Sequence, residues 1–318
     1  MPASPPALVF PLVTSATASN PFSYTEETTY GVLKTASPTF LAVAVAQDVT
    51  YKKDNVPLDV GQAGSHYLYS TSVGGHNYTL DIPFHPYDLS YSKYFSQTPN
   101  YTTPTGTAAS SLQFLYKAKR AQGTAQLYDA YTIFLGFRPA SMTYSVSAQG
   151  LVDATSSLIG REVYTSVATN GGYTTPTIPT FASVTGAVFQ DADSAALPLT
   201  VDGVQYTMDN FSITWNLGTF AKAYLGGGGY AETVLVGGIR ISGSFTTPIG
   251  GGQGLETLAD AATQPGVTAK YTIKSGACVI NMTKMVITAQ DNTILSTPTA
   301  PAENQFTFNC SLATIDTS

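Results

Sequence analysis

Residues 209–249, DNFSITWNLGTFAKAYLGGGGYAETVLVGGIRISGSFTTPI, constrain the fold more tightly than any other stretch of the chain. The stretch opens as a strand, with Phe211, Ile213 and Trp215 alternating with Ser212, Thr214 and Asn216. It closes as another, with Ile239, Ile241, Gly243 and Phe245 alternating with Arg240, Ser242, Ser244 and Thr246. The segment between them is too long and too rich in glycine for a tight hairpin turn. Gly226 to Gly229 give it backbone freedom, while Leu217, Phe220, Tyr224, Leu225 and Tyr230 give it apolar surface. Exposing so many large apolar groups to water is unfavourable. An arm docked on a neighbouring subunit would cover them, so the pattern reads as a sheet carrying an assembly arm. Such a chain is a building block rather than an enzyme.

Composition points the same way. Only 11% of the 318 residues are charged, against roughly 25% in an ordinary soluble domain. Ser, Thr, Asn, Gln and Tyr must supply the polar surface, and interface cores are depleted in charge. Abundant Thr and Tyr favour strands and abundant Gly and Pro interrupt them, which makes an all-β fold with one or two short helices the expectation. The net charge of −6 argues against nucleic-acid binding, which calls for a basic patch. Lys117, Lys119 and Arg120 form the one basic cluster and read as a solvated strand edge.

Pro5, Pro6 and Pro11 break the apolar N-terminal run, which lacks a basic leader, so residues 1–21 read as a flexible or partner-bound tail rather than a signal peptide. No run approaches the roughly 20 apolar residues of a membrane span, and no membrane insertion is expected. Cys278 and Cys310 fall on different strands; they could pair across a sheet, but two buried free thiols are favoured.

Along the chain, the parts of the opening stretch occur twice. Phe40 to Val45 read as a short buried strand and Val49 and Tyr51 begin another. An irregular stretch from Lys53 to Val73 carries Val56, Leu58, Tyr67 and Tyr69, and is the counterpart of the arm. Gly74-Gly75 then leads into a return strand with Tyr78, Leu80, Ile82 and Phe84 on one face. Val49-Thr50-Tyr51 and Phe211-Ser212-Ile213 stand 162 residues apart, and Gly74-Gly75 and Gly237-Gly238 stand 163 apart. Short helices are predicted at Asp88 to Phe95 and at Gly254 to Ala262, the second with Leu255, Leu258, Ala259 and Ala262 on one face and Glu256 in its first turn. Leu112, Phe114 and Tyr116 then alternate in one half and Tyr271 and Ile273 in the other. A longer strand follows in each, from Ile133 to Ala148 and from Cys278 to Ala289. This order predicts an internal duplication: a first β domain over 22–165, a Gly/Thr/Pro-rich linker over 166–183 and a second domain over 184–318.

Catalytic signatures are missing. His66, His76 and His85 have no metal-ligand spacing and read as surface or arm residues. GGGGY and IGGGQG lack the lysine and the strand-to-helix context of a phosphate loop. Glu26/Glu27 and Asp191/Asp193 sit in loops with nothing nearby in sequence to raise a pKa. No catalytic residue, metal or cofactor is expected. The Asn-x-Ser/Thr triplets at Asn77, Asn100, Asn210, Asn281 and Asn309 are what chance gives in so Ser/Thr-rich a chain.

Four segments together resemble the major tail tube proteins of long-tailed bacterial or archaeal viruses. They are EETTYG (Glu26 to Gly31), LYDAYTIFLGFRPASMTYSVSAQGLVDAT, VDGVQYTMDNFSITWNLG and the return strand GGIRISGSFTTP. The resemblance covers the chain from about Phe22 onward; the apolar arms and the Pro-rich tail depart from the family pattern. It implies tandem β-sandwich or flattened-barrel domains, each with a short helix and a long arm to the next subunit. Rings of six such domains stack into a hollow tube in that family, so two domains per chain imply three chains per ring with pseudo-sixfold symmetry. The implied partners are further copies of the chain, a tape-measure protein and tail terminator or tip proteins. DNA would pass through without specific binding, and an acidic lumen suits that task. The implied location is the virion tail, assembled in the host cytoplasm. The rival readings are a secreted or cell-surface adhesin or surface-layer sandwich, a β-sandwich hydrolase, and another virion part such as a tail terminator or capsid decoration protein.

Overall fold

The computed structural model describes residues 22–33, 40–61, 68–96, 111–122, 126–167, 188–190, 198–222, 233–235, 237–248, 253–261, 266–274, 278–292 and 303–316. Over these residues the chain is all-β with two short helices. Its first elements are β1 (Phe22–Glu26), β2 (Leu41–Ala42), β3 (Thr50–Gly61), β4 (Leu68–Phe84), α1 (Lys93–Ser96), β5 (Leu112–Gln122), β6 (Gln126–Ser147), β7 (Val152–Gly160) and β8 (Glu162–Val167). There follow β9 (Leu199–Val201), β10 (Val204–Tyr206), β11 (Asn210–Asn216), β12 (Phe220–Lys222), β13 (Thr233–Leu235), β14 (Arg240–Pro248), α2 (Gln253–Asp260), β15 (Val267–Lys274), β16 (Cys278–Asn292), β17 (Glu303–Cys310) and β18 (Leu312–Asp316).

All strands but β12 and β13, which pair with each other, join one connected 16-stranded sheet. Its backbone is the antiparallel run β3-β4-β7-β6-β11-β14-β17-β16. Strands β6 and β16 are long enough to serve two layers. The N-terminal part of β6 pairs with β5 and β8, and from Arg138 onward it pairs with β7 and β11. Likewise β16 pairs first with β15 and β18, then with β17. Two smaller sheets, β2-β1-β5-β6-β8 and β10-β9-β15-β16-β18, are thereby folded over one face of the central run.

The core lies between these layers. Phe211 and Trp215 on β11 reach across it: Phe211 stacks on Tyr271 with centroids 4.1 Å apart, and Trp215 Nε1 donates to the Ala313 carbonyl at 2.8 Å. Alternation in each strand sends apolar side chains to this face. Tyr78, Leu80, Ile82 and Phe84 are buried on β4, and Phe211, Ile213 and Trp215 on β11, as their patterns predict. Gly243 takes an inward position where a Cβ would sit 2.3 Å from the Ser212 carbonyl and 2.4 Å from the Phe308 ring.

Two expectations need correction. The stretch from Lys53 to Val73 is not irregular: β3 and β4 form a long hairpin ladder from Thr50↔Asp81 out to Gly61↔Leu68, with register shifts at Val56/Pro57 and Val60/Gly61. Bulges absorb its glycine and proline without ending the pairing. The first helix is shorter than Asp88 to Phe95, because Asp88 accepts from the Ser90 N–H and holds the chain in a turn until Lys93. The second matches its expected span closely, with Leu255 buried. The proposed linker lies almost wholly outside the described residues.

The pairing scheme occurs twice. The contacts β1–β2, β1–β5, β5–β6, β6–β8, β6–β7, β7–β4 and β4–β3 recur as β9–β10, β9–β15, β15–β16, β16–β18, β16–β17, β17–β14 and β14–β11. Two of the irregularities recur as well. Leu112↔Phe137 followed by Phe114↔Phe134 is answered by Val267↔Met285 followed by Ala269↔Met282. The shift between Pro139 and Ser141 on β6 is answered by one between Ile287 and Ala289 on β16. The pairing of β6 with β11 joins the two sets.

Candidate assembly surface

The central run has one face against the core and one face outward. Outward positions carry Ser141, Thr143, Ser145 and Ser147 on β6, Ser212, Thr214 and Asn216 on β11, and Ser242 and Ser244 on β14. Short hydroxylated side chains keep such a face wet and flat, and they bond across strands: Thr143 Oγ1 lies 2.8 Å from Thr214 Oγ1. Charges on this face are mostly acidic. Asp54, Asp81, Asp153, Asp291 and Glu303 stand against Lys52 and Arg240.

The run ends at β3 on one side and at β16 on the other. Among the described strands, none lies beyond either. Near the β3 edge, Tyr51 is 55% exposed although it points to the core side, where it meets the edge of the Phe134 ring. Lys52 reaches Asp54 at 2.8 Å, a solvated pair that adds little to stability.

The expected arm residues divide into groups. Leu217 is fully buried and its N–H donates to the Ala140 carbonyl at 2.8 Å, so it belongs to the chain's own core at the arm root. Phe220, on β12, is 49% exposed. The backbone places Val56 and Leu58 in β3 and Tyr69 in β4. Tyr67, Tyr224, Leu225 and Tyr230 lie outside the described residues.

The arm root is held by a device that sequence reading missed. Glu27 is buried and accepts from Ser111 Oγ at 2.6 Å, the Gly136 N–H at 2.7 Å and the Gly31 N–H at 2.8 Å. Burial raises its pKa above the ordinary carboxylate value, against the opposing pull of those donors and of Arg138. The Arg138 guanidinium lies 4.9 Å from the Tyr30 ring centroid and donates to the Val234 carbonyl on β13. Thr219 Oγ1 donates to the Pro139 carbonyl at 2.6 Å. The EETTYG segment thus packs beneath β6, and β6 fastens both ends of the second arm.

His76 and His85 bond to neighbouring strands, and His66 lies outside the described residues. His76 Nδ1 lies 2.8 Å from Asn55 Oδ1, and His85 Nδ1 lies 3.1 Å from Asp153 Oδ1 and 3.2 Å from the Val152 carbonyl. No group of three or more His, Cys, Asp or Glu comes together among the described residues. Both cysteines are free and buried, and burial pushes each thiol up to about 12. No described helix is long and apolar enough to cross a membrane.

An all-β chain with a hydroxyl-rich outward face, open strand edges at both ends and a fastened arm has the build of a structural subunit. Residues 17–312 match the family of phage tail tube proteins, and the chain belongs to that family. Comparison with curated proteins gives no match. The protein is accordingly a structural component of the virion tail that polymerises with itself into a tube, and a structural family suggests a non-enzymatic role.

Proposed function

We propose that the chain is two tandem tube units, and that three chains close into a ring of pseudo-sixfold symmetry. Rings stack into the hollow tube through which viral DNA is delivered. The recurrence of the strand pairings, with the two register shifts shared by β6 and β16, supports the tandem reading, with the halves meeting at β6–β11. The outward face of the central run lines the lumen. Its hydroxyls and acidic excess carry the functional reading, because a conduit must not bind the polyanion that slides along it. Phe220, exposed at the base of the arm, and the apolar residues that follow it in sequence cover themselves on a neighbouring subunit in the wall. A tape-measure protein fills the lumen during assembly, and terminator and tip proteins cap the two ends. Negative-stain microscopy of the purified protein at high concentration tests this: hollow tubes or stacked rings are expected, and a persistent monomer overturns it.

A further inference from the structure

The junction inside the chain specifies the junction between chains. Resting on the tube reading above, we propose that the edge of β16 in one copy pairs antiparallel with the edge of β3 in the next. The register copies that of β6 with β11.

Internally, β6 presents residues 141–147 to β11, from Asn216↔Ser141 to Asn210↔Ser147. The counterpart of β6 is β16, since both pair with a β5- or β15-type strand, a β7- or β17-type strand and a β8- or β18-type strand, with the same bulge between layers. The counterpart of β11 is β3, since each is the partner of a return strand, β14 or β4. Carried across, the register sets Ala289 opposite Asp54, Asp291 opposite Lys52 and Asn292 opposite Tyr51 of the neighbouring copy.

Two observations that were not used to derive this register agree with it. First, it brings opposite charges face to face: Asp291 is exposed at one edge, and Lys52 is exposed at the other. Opposed charges on paired strands are favourable and like charges are not. Second, it places the next strand beside Tyr51, whose counterpart Ile213 is fully buried under the internal junction while Tyr51 is 55% exposed. A bare edge strand is also a template for pairing, and a head-to-tail contact that closes a ring removes it.

The test is a double variant, Lys52→Cys with Asp291→Cys, oxidised after assembly and run without reductant. The native thiols are buried, so cross-links report the new pair. A covalent ladder ending at the closed ring is expected. The control pairs Lys52→Cys with Gln290→Cys, whose side chains leave the sheet on opposite faces, and it should stay uncross-linked. A second arm exchanges charge: Lys52→Asp or Asp291→Lys alone should weaken assembly at least several-fold, and the two together should restore it. Tubes that form in the microscope with cross-linking only in the control overturn the register and leave the tube reading standing. Wild-type protein that never forms rings or tubes overturns both.

Discussion

Gly136 and Lys284 occupy the same place in their strands and share a left-handed backbone, with φ of 68° and 52°. Each precedes the bulge at which its strand leaves a small sheet for the central run. Their surroundings differ. A Cβ at Gly136 would lie 2.8 Å from the Arg161 side chain and 3.1 Å from the Tyr30 ring. Gly136→Ala should therefore cost about 1–3 kcal/mol, the range for forcing a side chain into a sparsely populated backbone region. Lys284→Gly relieves that strain and adds unfolded-state entropy of about 0.5–1 kcal/mol, so it should lie near neutral. Thermal melts of both variants check this; equal losses would show that φ is not what the two positions have in common.

The raised pKa of Glu27 makes stability depend on pH in a definite direction. The folded chain holds the proton to higher pH than the unfolded chain does. This contribution is complete below the unfolded value near 4.5 and is lost as pH rises through the folded value. Wild-type melting temperature should thus fall relative to Glu27→Gln as pH is raised from about 4.5 toward neutrality. Parallel curves would mean that the carboxylate is fully compensated by its three donors.

Trp215 is the only tryptophan and ties the central run to β18 through the Ala313 carbonyl. Trp215→Phe leaves that buried acceptor without its donor and should cost about 1–3 kcal/mol. Circular dichroism in denaturant gives the measurement, since the variant has no indole fluorescence. A loss under about 0.5 kcal/mol would indicate that water replaces the indole N–H.

Much of the fold was legible because one face of the central run is polar. Phe211, Ile213 and Trp215 on β11 and Tyr78, Leu80, Ile82 and Phe84 on β4 alternate with hydrophilic residues, and period-two burial leaves that trace. Strands β7 and β17 were harder to see, since their inward positions include Ser156 and Asn304, buried but polar. Tyr91 and Glu256 bond to these side chains, and nothing local in sequence announces such partners. Glu27 does sit just past the end of β1, but its burial was hidden for the same reason: Ser111 and Gly136 stand 84 and 109 residues away. The Lys53 to Val73 hairpin was hidden by turn-forming residues that bulges absorb. Leu217 was counted with the arm because apolar residues at a strand's end look alike whether they face a neighbour or the chain's own core.

The arm prediction accordingly shifts outward from Leu217. Phe220→Asp, or Tyr224, Leu225 and Tyr230 changed together to Ser, should leave a folded, soluble subunit while abolishing tubes. Far-ultraviolet dichroism reads the first property and microscopy the second. Normal tubes from the triple variant would remove the arm from the wall.

A conduit for DNA needs a wall that gives the phosphates nothing to hold. Thr155 and Ser242 point outward from the central run on β7 and β14, exposed and away from the core. If that face lines the lumen as proposed, lysine at both positions of every chain would turn a hydroxyl lining into repeated rings of positive charge without touching the fold. Phosphate contacts of this kind add in number, and each steepens the loss of affinity with salt. Tubes of Thr155→Lys, Ser242→Lys should therefore retain DNA at low salt and release it as salt is raised, while wild-type tubes retain none. Sedimentation of tubes with short labelled DNA at several salt concentrations measures this. Equal retention by wild-type and variant tubes would place the outward face of the central run somewhere other than the lumen.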